Sequence, residues 1–146
     1  QMNESKVIGL DNIKDFLKRY GWQFKEVEKD IILTDFVTKE DNINFIIIIR
    51  FAPPWIRINI PAFLEIPNEE ALTKLSKHLV KLNYLTRQAY FSLTEKDDLT
   101  LCIDLYMKKG LVYEQFEAAL DILTYVTEKS FTSLMDFINN TKETED

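Results

Sequence analysis

At 146 residues, 46% of them hydrophobic, the chain is the size of one domain and has the apolar content to bury a core. Ten Phe, six Tyr and two Trp against three Gly and four Pro exclude a linker or a disordered segment. With 18 Lys and Arg against 24 Asp and Glu, the net charge of −6 speaks against nucleic acid or an anionic membrane surface as partner, because both draw on clustered cations.

Leu10, Ile13, Phe16 and Leu17 recur at helical spacing and Gly21 follows as a stop, which predicts a first helix over about residues 10–20. The period then changes. In WQFKEVE, Trp22 and Phe24 alternate with Gln23 and Lys25, and after a turn at Lys29-Asp30 the run IILTDFVT (31–38) is rich in strand-favouring residues. KEDN (39–42) is a second turn. INFIIIIRF (43–51) is a third strand, ended by Pro53-Pro54, and WIRINI (55–60) is a fourth, with Ile56, Ile58 and Ile60 on one face.

IPNEEALTKLSKHLVKLN opens a second helix, with Pro67 and Asn68 at its start, Glu69 and Glu70 in its first turn, and Leu72, Leu75, Leu79 and Leu82 as its apolar stripe. AYFSLT (89–94) and LTLCIDLY (99–106) form a hairpin about the charged turn EKDD. A third helix starts near Tyr113 and traces one face through Phe116, Leu120, Leu123, Thr127, Leu134 and Ile138. Continued to Asn140 it would be roughly 40 Å long, so it either breaks near Ser130 or projects. An acidic tail (139–146) follows an ordered core of about 8–138 within a single domain, 1–146. The predicted fold is α+β, an antiparallel sheet in the order helix-β-β-β-β-helix-β-β-helix.

Chemistry is sparse. His78, the one histidine, lies at the border of the helical stripe, and Cys102, the one cysteine, sits opposite the apolar face of its strand. Nothing in the spacing joins them, so no catalytic residue, metal site or cofactor is expected. The acidic clusters fall at turns and lack the calcium-loop pattern. Three distant glycines make no phosphate loop. The N-terminus, QMNESKVIGLDN, has no export-signal pattern. The run Phe45–Ile49 falls well short of the roughly 20 residues of a membrane-spanning helix. A cytoplasmic protein with no membrane insertion is expected.

Apolar surface is the remaining signal. In INFIIIIRF both alternating sets are greasy: Ile43, Phe45, Ile47, Ile49 and Phe51 on one side, Ile46 and Ile48 on the other. Either helices of this chain cover both faces, or one face is left for a partner or an apolar ligand. Phe45, Ile47, Trp55 and Arg57 are the candidate partner-binding residues.

The helix followed by GWQFKEVE, the centre LVKLNYLTRQAYFSLTEKDDLTLCIDL and the stretch EQFEAALDILTYVTEKSF resemble the YbjN family of small bacterial domains. The resemblance covers most of residues 10–138, whereas Pro53-Pro54 and Ile46–Ile49 depart from the family pattern. It implies a fold similar to class I type III secretion chaperones, which are acidic homodimers holding an extended client segment. The function it implies is a non-enzymatic, chaperone-like or adaptor domain, regulatory in motility, stress or secretion, with a protein client as partner and a homodimer as assembly. The alternative is a small-molecule-sensing module with an apolar pocket between sheet and helices.

Overall fold

The computed structural model describes residues 8–144; the leader reading of QMNESKV and the last two residues of the acidic tail lie outside that range. Helix α1 (Leu10–Tyr20) leads into strands β1 (Phe24–Glu28), β2 (Ile31–Val37), β3 (Asn44–Ala52) and β4 (Trp55–Ile60). Helix α2 (Glu69–Leu85), strands β5 (Tyr90–Leu93) and β6 (Leu99–Tyr106) and helix α3 (Tyr113–Thr144) complete the chain. The strands form one antiparallel sheet ordered β1-β2-β3-β4-β6-β5, the α+β architecture read from the sequence.

Local chemistry sets the boundaries. Gly21 closes α1 in the left-handed conformation (φ 95°), its N–H bonded to Leu17 and Lys18, a geometry that a side chain would strain. Asn68 caps α2 by accepting the Ala71 N–H at 2.8 Å. Asp30, Asn42 and Asp97 take positive φ at the three polar turns between strands.

All three helices lie on one face of the sheet. There Ile32, Phe36, Phe45, Ile47, Ile49, Ile56, Ile58, Ile60, Phe91, Leu101 and Ile103 are buried, and α1 and α2 both pack against α3 over them. Phe63, in the β4–α2 connection, joins the layers: its ring lies 5.4 Å from Phe45, 5.4 Å from Phe91 and 5.8 Å from Phe131 of α3. At the other end Trp22 stacks on Phe36 and Phe16 meets Phe116. Helices therefore do not cover both faces of β3.

The third helix is one unbroken element of 32 residues, about 48 Å long, and extends through most of the expected tail. It does not break at Ser130. The Thr124 and Thr127 hydroxyls bond back to the carbonyls of Leu120 and Leu123, and Thr127 and Ser130 are themselves buried. Nor does it project before Ile138, since Phe116, Leu120, Leu123, Leu134 and Ile138 stay buried along its length.

Phe63 is 2% exposed among three rings. Phe63→Ala is expected to cost about 3–5 kcal/mol, read as a lowered urea midpoint at unchanged slope; a loss under about 1 kcal/mol would show that the layers are not joined through this ring.

Candidate functional site

The face of the sheet turned away from the helices is built in rows fixed by strand register. One row runs Leu33, Ile48, Asn59, Cys102, Tyr90; the next Ile31, Arg50, Arg57, Asp104; the last Ala52, Trp55, Tyr106. Ile46 lies beside Asp35 at the other end. Large apolar groups stand in solvent here: Val37, Ile46, Trp55 and Tyr106 are each about half exposed, at 51%, 47%, 47% and 54%. Trp55 and Tyr106 pair across β4 and β6 with ring centroids 5.0 Å apart.

The middle row carries the charge. Arg57 grips Asp104 with two bonds, Nε to Oδ1 at 2.7 Å and Nη2 to Oδ2 at 3.1 Å, and the Tyr90 hydroxyl donates to Oδ2 at 2.7 Å. Burial pushes the Asp104 carboxyl up, but the bonds from Arg57 and Tyr90 outweigh it and hold the group below its ordinary 3.8. Burial and the bond to Asp104 raise the Tyr90 phenol. Arg50 stands directly opposite Arg57 and has no ion-pair partner among the described residues. It lines a recess of about 440 Å³ with Ala52, Trp55, Arg57 and Asp104. This is a free cation beside an indole on a chain of charge −6.

Cys102 is 3% exposed although it points to the open side. It lies opposite Tyr90 and within 3.6 Å of the Thr100 hydroxyl, and burial pushes its thiol up, away from the reactive thiolate. His78 is on α2, on the other side of the sheet, stacked on Phe137 at 4.4 Å. The two residues do not meet. Among the described residues no group of three or more His, Cys, Asp and Glu side chains is arranged to hold a metal ion, and no helix is long and apolar enough to cross a membrane.

The four candidate binding residues divide between the two faces. Trp55 and Arg57 lie on the open face, whereas Phe45 and Ile47, at 6% and 0% exposure, lie in the core beneath α3. Ile46 and Ile48 are the β3 isoleucines on the same face as Trp55. Parity carried a signal for this: Asn44, Ile46, Ile48 and Arg50 form the set with polar ends, and Ile43, Phe45, Ile47, Ile49 and Phe51 the wholly apolar one.

The family model of YbjN, described as "Putative bacterial sensory transduction regulator", matches residues 9–134. The chain belongs to the YbjN family. Among solved structures it is similar to YbjN from E. coli, with a TM-score of 0.64 at 19% identity over 88% of this chain and 94% of that one. It is also similar to the ExsC–ExsE complex, with a TM-score of 0.50 at 15% identity over 82% of this chain and 88% of the other. No curated protein is a significant sequence match. The fold is therefore that of the YbjN family, type III secretion chaperone-like, as the sequence resemblance implied.

Because the folded state favours ionised Asp104, its contribution to stability is full above the unfolded value and is lost as pH falls through the lower folded value. Asp104→Asn is expected to lower the urea midpoint near neutral pH, with the gap to the parent protein closing below about pH 4. A gap independent of pH would show that the Arg57 pairing adds nothing through charge.

Proposed function

We propose that the chain is a non-enzymatic, chaperone-like or adaptor protein of the cytoplasm that works as a homodimer and binds segments of other proteins. The observation that carries this reading is the uncovered sheet face. A six-stranded sheet with helices on one side only normally turns polar residues to water, yet this one presents Leu33, Ile46, Ile48, Trp55 and Tyr106 together. Leu33, Ile46 and Ile48 lie on one side of the charged row and Trp55 and Tyr106 on the other, and exposed apolar groups set about a small polar cluster suit a protein-binding surface. Family membership supports a regulatory role, and the ExsC–ExsE complex supports the use of this fold in protein–protein contact. Arg50 suits a partner with a carboxylate among its apolar contacts. The small-molecule alternative has less support: fully buried Ile47, Ile49, Ile58, Phe63 and Phe116 fill the centre of the space between sheet and helices, and the apolar recess left at its edge, between β3 and α3, is a groove open to solvent and not an enclosed pocket.

Light scattering at micromolar concentration is expected to give the mass of a dimer; a monomer at every concentration would end that part of the proposal. Ile48→Asp and Trp55→Ala each change a side chain on the open face that is not in the core cluster. Each should weaken capture of co-purifying protein by on the order of 2 kcal/mol. Folded variants that capture as the parent does would remove the open face as the binding surface.

A further inference from the structure

Strand β3 is longer than its neighbour β4. Their pairing runs from Ala52 opposite Trp55 to Ile48 opposite Asn59 and stops there. On the β2 side, the Phe51 N–H donates to Asp30 and the Ile43 carbonyl accepts from Thr38, both at 2.9 Å. In an antiparallel ladder the side to which a residue turns its N–H and C=O alternates. The odd-numbered residues of β3 therefore face β2, and Asn44, Ile46, Ile48, Arg50 and Ala52 face β4. Continued in register, Ile46 would meet Pro61, which has no N–H to give. Ala62, at φ 48°, turns the chain aside, and Phe63 donates its N–H to Leu99 at 2.8 Å instead. Asn44 and Ile46 are thus left, among the described residues, with an N–H and a C=O each that no backbone group meets. Both residues are exposed.

This bare edge opens on a groove of about 870 Å³, walled by Phe45, Phe63, Leu64, Phe131, Met135 and Ile138. Water alone would satisfy the edge, but it gains nothing from such walls. The groove adjoins a second one through Ala62, Leu64 and Glu65, and there Glu69, Asp97 and Asp98 stand with Lys96. Four carboxylates face one ammonium, and among the described residues none of the four is ion-paired. The roughly half positive charge at the start of α2 does not cancel that excess.

We propose that this groove takes an extended segment of another protein as a short added strand. The segment bonds to the backbone of Asn44 and Ile46, sets alternate apolar side chains against Phe63 and Met135, and places a Lys or Arg among Glu65, Glu69, Asp97 and Asp98. The inference rests on the reading of the chain as a protein binder and assigns it a contact separate from the open face. Backbone pairing supplies affinity with little demand on sequence, the apolar walls set spacing, and the acidic end sets direction.

The test is selection of random dodecapeptides displayed on phage against the immobilised full chain, followed by anisotropy with the enriched peptides made synthetically and fluorescein-labelled. Enriched peptides are expected to alternate apolar residues and to carry a Lys or Arg to one side. Asn44→Pro removes one edge N–H at the first residue of the strand, where proline is tolerated, and should weaken binding about tenfold. Glu65→Lys with Asp98→Lys, both at exposed positions, should weaken the basic peptides and favour versions carrying Glu in place of the cation. Ile48→Asp on the open face should leave the affinities unchanged. No enrichment of such peptides, affinities indifferent to both the edge and the charge reversal, or loss on Ile48→Asp would each overturn the proposal; in the last case binding to the open face stands and the groove falls.

Discussion

The contact on which the rest of the molecule depends is the meeting of Phe63 with Phe45, Phe91 and Phe131. It brings a loop, two strands of the sheet and the long helix to one point, and it fixes which side of β3 faces inward. Once Phe45 points to α3, period-two alternation sends Ile47, Ile49 and Phe51 the same way and leaves Ile46 and Ile48 outside. Each fully buried Ile in that layer contributes about 1.5–3 kcal/mol of transfer free energy. The opposite parity would turn the wholly apolar set of β3 to water. The open face and its composition follow from that one-residue choice.

Helices and strands were legible because the chain writes them with clear periods and clear stops: Gly21 after α1, Asn68 before α2, and polar turns where Asp30, Asn42 and Asp97 take positive φ. Which face each strand would bury was less legible. In IIII both parities are apolar, so the local pattern has no preference, and only the flanking Asn44 and Arg50 mark the outer set. The sequence therefore does not separate Phe45 and Ile47 from Trp55 and Arg57, although the two pairs stand on opposite sides of the sheet. The length of α3 was ambiguous for a different reason. Thr127 and Ser130 are poor interior helix residues by propensity, and the burial and back-bonding that keep the helix whole at Thr127 are tertiary facts.

The charged row shows how the open face stays soluble while remaining apolar. Arg57, Asp104 and Tyr90 satisfy one another and shield Cys102, so the centre of the face presents a closed polar cluster instead of free charge. Arg50 is the exception. A cation directly opposite another cation, with no carboxylate partner among the described residues, gives up stability that its neighbours secure. Such a residue fits a surface whose partner brings the missing charge.

One unbroken helix spans the covered face, meeting α1 through Phe116 at one end and the loop before α2 through Phe131 further on. A sheet splinted in this way has few soft modes, because any change of twist must bend a helix of 32 residues that has no proline in it. The surface on the other side is therefore preorganised. A partner taken on that surface would meet a fixed curvature, so that discrimination would come from fit and not from adaptation and little binding energy would be spent on ordering this chain.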